Sequence, residues 1–294
     1  MINMKTFIIP TSQGKHLGKR ISAKTKVFKF IFPELNKDGK RCFPDGEIYM
    51  RILKANRLRG KRVIVLHSGA PKPNEGLIEL ELILQILRDN NVKPRVFFSY
   101  FPYGMQDKVF EKGETNIAEN LIEKLINYYK VKKIYTIDAH FWGRKWVKKY
   151  PILNISAAPI LIEEAKKDFG EDILFLSPDF GERRRTKILG MKKERMDSYR
   201  VRMISPKIDF KGRVVGVIDD MIKTGGTLLK FYEIAKKSRA KKVLALITHG
   251  VLPAGISKIK KRYSKLYLTN TINQKEANID VTDLILKNIS KKYD

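Results

Sequence analysis

Short runs of apolar, β-prone residues alternate along the chain with longer segments whose apolar positions recur every three or four residues. In the first half, TFIIP (6–10), KRVIVLHSG (61–69), PRVFFSYFP (94–102) and KKIYTID (132–138) predict strands. Between them, Asn74–Asn91 and Asn116–Tyr129 have the helical period. In the second half, DILFLSPD (172–179), RVVGVIDD (213–220), KKVLALITHG (241–250) and KLYLTNT (265–271) predict strands, and Thr227–Arg239 predicts the helix after the second of them. Strands apolar along most of their length and separated by helices predict parallel sheets covered on both faces. The pattern runs twice. The expectation is therefore two α/β domains, 1–156 and 157–294, joined near Ile155–Pro159.

One segment carries more than a fold. VVGVIDDMIKTGGT (214–227) is an apolar strand that ends on Asp219 and Asp220 and then turns through Thr224, Gly225, Gly226 and Thr227 into a helix. In an open α/β sheet, ligands bind beyond the carboxyl ends of the strands. Glycines there let backbone amides approach an anion, hydroxyls donate, and the helix N-terminus adds positive potential. The two carboxylates fit the vicinal hydroxyls of a sugar phosphate, which they reach directly or through Mg²⁺. The segment is neither a Walker A loop nor a dinucleotide fingerprint, because G-x-x-x-x-G-K-[ST] and G-x-G-x-x-G are both missing from it.

Composition changes this picture in one respect. Sixty Lys and Arg face thirty-one Asp and Glu, a formal charge of +29, which attracts polyanions. The cations are scattered rather than gathered in a tail, and no zinc-finger or RNP-type motif accompanies them. Nucleic-acid contact is thus expected to be weak and non-specific. No apolar run reaches the ~18–20 residues that cross a bilayer, and the N-terminal stretch has too short an apolar core for a secretory signal. The chain reads as a cytoplasmic protein without a membrane partner. A single cysteine, Cys42, excludes an internal disulfide.

The 214–227 segment resembles the phosphoribosyl-diphosphate-binding loop of type I phosphoribosyltransferases and of ribose-phosphate pyrophosphokinases. Further stretches resemble pyrophosphokinase motifs in the family's order: FPDGEIYMRI (43–52), FPYGMQDK (101–108), TIDAH (136–140), SPDFG (177–181), KKER (192–195), THGVL (248–252) and TNTI (269–272). The resemblance implies two related type I phosphoribosyltransferase-like domains with the site between them. It implies Mg²⁺-dependent transfer of the diphosphoryl group of ATP to the C1 hydroxyl of ribose 5-phosphate, in a homo-oligomer.

Residue roles follow from the matching positions. Asp179, Asp219, Asp220, Thr224, Gly225, Gly226 and Thr227 are expected to hold ribose 5-phosphate. Asp138, His140 and Asp179 are expected at the metal; Asp138 and His140 lie two apart, on one side of the chain if it is extended. Phe43, Asp45 and Glu47, alternating on one face of a hairpin, are expected at the adenine together with Gln106 and Asp107. His140, Lys193 and Arg195 are the expected catalytic set, the two cations neutralising the transferring group. His16, His67 and His249 read as hydrogen-bonded structural residues.

The sequence departs from the family pattern at Met105, where arginine is usual, at Lys149 and Leu153, where many members carry acids, and at Lys223, where Asp or Ser is common. Three alternatives accompany the main reading. They are a phosphoribosyltransferase using the same cradle, a non-catalytic paralogue of the family, and a nucleic-acid-binding protein.

Overall fold

The computed structural model describes residues 6–178, 189–190, 192–195, 201–204 and 209–290. Contacts divide the chain into two units. One is Met1–Ile155 with Ile285–Asp294, and the other is Ser156–Leu284. The link after Ile155 falls in the region where the apolar pattern starts again.

The first unit is a six-stranded parallel sheet in the order β2-β1-β3-β4-β5-β6. Its strands are β1 (Thr6–Pro10), β2 (Phe28–Phe30), β3 (Arg62–Ser68), β4 (Arg95–Tyr100), β5 (Lys133–Ile137) and β6 (Ile152–Ile155). Three helices connect them: α1 (Lys15–Lys24), α2 (Pro73–Asp89) and α3 (Ile117–Asn127). The predicted helical periods do what periodicity requires. In α3, Ala118, Leu121, Ile122 and Leu125 fall on one buried face, and Asn116 caps the first turn by accepting from the Glu119 amide at 3.1 Å. Each fully buried Leu or Ile of that face contributes roughly 1.5–3 kcal/mol. The face joins a core of Val63, Val65, Val96, Phe98 and Ile134 from the sheet with Leu80, Ile83, Leu84 and Leu87 from α2.

The second unit holds a five-stranded sheet in the order β13-β12-β11-β7-β8, also parallel. Its strands are β7 (Ile173–Ser177), β8 (Leu189–Gly190), β11 (Val214–Ile222), β12 (Lys242–Gly250) and β13 (Lys265–Leu268). A separate antiparallel ribbon pairs β9 (Lys192–Arg195) with β10 (Val201–Ile204). The helices are α4 (Ala158–Phe169), α5 (Gly226–Lys237) and α6 (Pro253–Arg262). The last helix, α7 (Thr282–Ile289), begins at the end of this unit.

The grouping of Ile285 and beyond differs from the expected 157–294 span. Ile285 and Ile289 are buried and line a small space with Ile8, Ile21, Ile64, Leu66 and Phe97 of the first sheet. Apolar burial places them there, a preference that reading the sequence in chain order does not reveal. Among the described residues, no helix is long and apolar enough to cross a membrane.

Candidate active site

In a doubly wound sheet the crevice opens where the strand order reverses. In the second sheet the chain passes from β7 to β8 on one side and returns to β11 on the other, so the switch lies between β7 and β11. The carboxyl end of β11 carries Asp219 and Asp220. Asp220 is buried at 5% exposure, and Asp219, half-buried, accepts from the Asp220 amide at 3.0 Å. Being consecutive in a strand, they occupy opposite faces. Lys223 follows. Burial lowers its ammonium pKa, and the nearby Asp220 carboxylate partly restores it.

The turn into α5 is made of backbone. Gly225 precedes the helix at φ +81°, a left-handed conformation, and a Cβ there would stand 3.2 Å from Ile259. The close approach continues at Gly255 in α6, where a Cβ would lie 1.9 Å from the Lys223 carbonyl oxygen. No side chain caps α5. Its first-turn amides, from Gly226 onward, therefore have the arrangement of an anion site, with Thr224 and Thr227 on either side of the glycines. The helix starts at Gly226, one residue before the expected Thr227.

Two other motifs of this unit, THGVL and TNTI, meet at neighbouring strand ends. His249, at the end of β12, pairs through Nδ1 with Thr271 Oγ1 at 2.9 Å. Thr269 and Thr271 both donate to the Thr248 carbonyl, at 2.6 and 2.9 Å. All four residues are buried, so this ladder fixes the floor of the edge, and His249 has the structural character expected of it. Asp179, the expected sugar or metal ligand, lies outside the described residues; β7 ends two residues before it. Lys193 and Arg195 stand on β9 in register with Met203 and Val201, and their side chains are outside the described part.

In the first unit, TIDAH and FPYGMQDK lie at the ends of adjacent strands, β5 and β4. The Phe101 and Phe141 rings pack edge-on at 4.9 Å, and a Cβ on Gly104 would lie 3.9 Å from the His140 Cβ. The extended geometry expected across Asp138 and His140 does not occur. The strand ends at Ile137, and Asp138 turns at φ +37°, a strained value for a non-glycine residue. Asn154 of β6 holds the bend, accepting from the Ala139 amide at 2.8 Å and from the Thr136 hydroxyl at 2.9 Å. Asp138 is buried and His140 half-buried.

Asp107, expected at the nucleotide, is engaged within the protein. It is buried, and Arg144 takes both of its oxygens, Nε to Oδ2 at 2.7 Å and Nη2 to Oδ1 at 2.9 Å. The Trp146 indole donates to the Asp107 carbonyl at 3.1 Å. Asp107 therefore anchors the loop, which leaves Gln106 and Met105 as its exposed neighbours.

The FPDGE hairpin is tighter than alternation predicts. Gly46 donates back to the Phe43 carbonyl at 3.0 Å, so the chain reverses between Phe43 and Glu47 instead of running extended. Asp45 and Glu47 lie in the turn and are exposed; Asp45 accepts from the Glu47 amide at 3.0 Å. Phe43 is 45% exposed and packs edge-on against Tyr49 at 5.6 Å. From Glu34 to Arg51 no residue is buried. A buried carboxylate holds this segment. Glu79 of α2, 4% exposed, accepts from Arg41 at the hairpin base, from the Ser12 amide at 2.9 and 3.0 Å, and from the Ser12 hydroxyl. The sequence reading found neither Glu79, Arg41, Arg144 nor Asn154. Partners 15 to 67 positions apart leave no local pattern. Among the described residues no three His, Cys, Asp or Glu side chains gather into a metal-ligating group.

Known proteins share this arrangement of sequence. The family model for the N-terminal domain of ribose phosphate pyrophosphokinase matches residues 7–129. A ribose-phosphate pyrophosphokinase of Pyrococcus abyssi is 32% identical over 297 residues, covering 97% of this chain and 98% of its own. That of Pyrococcus furiosus is 34% identical over 288 residues, covering 94% and 97%. The crystal structure of phosphoribosylpyrophosphate synthetase from Mycobacterium smegmatis has the same fold, with a TM-score of 0.81 at 21% identity over 97% of this chain and 98% of that one. Near-complete coverage of both chains at this identity makes the chain an enzyme of the ribose-phosphate pyrophosphokinase family.

Proposed function

We propose that the chain transfers the β,γ-diphosphoryl group of ATP to the C1 hydroxyl of ribose 5-phosphate. The C1 oxygen bonds to the β-phosphorus, the bond from that phosphorus to the oxygen bridging to the α-phosphate breaks, AMP leaves and the hydroxyl proton is released. Such transfers are catalysed mainly by positioning and by neutralising negative charge.

The observation that carries the reading is the turn at the second sheet's switch point, where an uncapped helix start follows an acidic pair. The amides of Gly225, Gly226 and Thr227, with the Thr224 and Thr227 hydroxyls, hold the 5-phosphate in this reading. Asp219 and Asp220, with Asp179, accept from the ribose hydroxyls. Phe43 offers a face to the adenine, with Asp45, Glu47 and Gln106 supplying polar contacts, while Asp107 acts by holding its loop. Lys193 and Arg195 neutralise the diphosphoryl group.

Mg²⁺ suits the residues present. It binds through one or two protein oxygens, substrate phosphates and retained waters, so a full protein cage is not required. Asp138, fixed in its strained bend, and His140, two residues on, would hold it at the nucleotide phosphates, and a metal at the sugar would fall to Asp179. When bound it supplies charge neutralisation at the phosphates.

The test is AMP formation by the purified chain, expected only with ATP, ribose 5-phosphate and Mg²⁺ together. In Asp220→Ala, ribose 5-phosphate binding is expected to disappear with the fold retained. AMP release without the sugar, or an unchanged affinity in that variant, sinks the assignment.

A further inference from the structure

All strands of the first sheet run parallel, so the turns entering them share one edge, opposite the edge of the motifs. The turns entering β2, β3, β4 and β5 (24–27, 57–61, 88–94 and 128–132) contain nine Lys and Arg and one acid, Asp89. The connections leaving β1 to β5 (11–14, 31–54, 69–72, 101–116 and 138–144) contain nine Lys and Arg and eight acids. The chain's charge excess is therefore unevenly placed: one edge is nearly balanced and the other is almost purely cationic.

Helix ends explain part of this. Arg88 and Lys130 stand at or just past the ends of α2 and α3, where a cation complements the helix dipole. Arg59, Lys61, Lys93 and Lys132 have no such role. Among the described residues none of these six forms an ion pair. Asp89, the one acid, accepts from Gln85 at 2.7 Å. Neighbouring strands are about 4.8 Å apart, inside the ~8 Å screening length at physiological salt, so cations on the turns entering β3, β4 and β5 act together on one ligand. Unrelieved, they repel one another and oppose compactness.

The same edge has a ring and a recess. Tyr128 is 46% exposed, the Arg88 guanidinium lies 4.1 Å from its ring centroid, and Tyr129 packs edge-on against it at 4.8 Å. Arg88, Asp89, Asn91, Val92, Lys93 and Lys130 line an open cavity of about 440 Å³. An exposed aromatic ring beside a line of cations is the platform on which unpaired bases stack while their backbone follows the charge. On these four turns, only Val27 and Tyr128 are exposed large apolar residues, too little for insertion into a lipid layer.

We infer that the amino edge of the first sheet binds single-stranded nucleic acid, independently of sequence and apart from the diphosphoryl-transfer site. The test is anisotropy of a labelled oligouridine of about 20 nucleotides against the full chain across a salt series. Replacing Arg88, Lys93 and Lys130 together by Gln is expected to lower affinity at least tenfold and to flatten the log-affinity against log-salt slope by about two. Tyr128→Ala is expected to cost about tenfold. A control triple, Lys236, Lys237 and Lys241 to Gln, removes the same charge from the end of α5 and the turn before β12 and is expected to change affinity less than twofold. AMP production is expected to stay unchanged in all three variants. Equal losses in the site and control triples, or full affinity in Tyr128→Ala, overturn the inference. So does tight binding to anionic lipid vesicles that the site triple abolishes while oligouridine binding persists.

Discussion

The two units finish their carboxyl edges in different materials. In the first, side chains hold the edge: Arg144 grips Asp107, Asn154 holds the bend at Asp138, and Glu79 ties Ser12 to Arg41. In the second, the edge at β11 is backbone, with a left-handed Gly225, a helix start without a side-chain cap, and Gly255 packed against the turn. An edge built from buried ion pairs loses stability when one partner is removed, because a charge is left behind in the interior. An edge built from backbone loses its ligand first, because its amides move while the core stays.

Arg144→Ala should break the contrast if anything does. It leaves Asp107 buried without its partner, and since Arg144 itself is partly exposed we expect a loss of about 3 kcal/mol in unfolding free energy. The ATP KM should rise and the ribose 5-phosphate KM should stay within twofold. Denaturant unfolding and initial-rate kinetics check both. A comparable rise for the sugar would end the idea that each edge serves its own substrate.

The next effect is in pH. His67 on β3 is fully buried and pairs with Thr11 Oγ1 at 3.0 Å, and burial lowers its pKa to about 3. Below about pH 6.5 the unfolded chain binds a proton that the folded chain refuses, so stability falls as pH drops from about 6.5 toward 3. At pH 5 the loss is about 2 kcal/mol. His67→Gln should flatten that part of the stability profile; a profile of unchanged slope would remove the residue from the account.

Gly225→Ala gives the smallest change in stability, about 1–2 kcal/mol for the left-handed backbone. It should nevertheless weaken ribose 5-phosphate binding tenfold or more, measured by calorimetry, while the ATP KM moves little. If stability drops by several kcal/mol before affinity changes, the backbone edge is no more separable from its core than the side-chain edge.

The same contrast explains what could be read in advance. β11, α2 and α5 were legible because nine to seventeen residues keep one period. The turn proposed to hold the sugar phosphate was legible because its acids, threonines and glycines all fall between Asp219 and Thr227. The polar helix α1 buries only Leu17, Gly18 and Ile21, and β2 has three residues, so neither offered enough pattern. Alternation also misled at FPDGE and D-x-H. Period two holds only where the backbone is extended, and the chain turns at Gly46 and at Asp138. The acids that secure the first edge, Glu79 and Asp107, looked like an amphipathic helix residue and a ligand, because their partners are far along the chain.

The isoleucines of α7 affect how the protein is made. Ile285 and Ile289 belong against Ile8, Ile64 and Phe97, yet they leave the ribosome more than a hundred residues after β5. During synthesis the nascent first sheet must wait, with a greasy patch uncovered, until the rest has been translated. That interval is when a chaperone would find a foothold, and a fragment cut at Ile155 would carry the patch permanently.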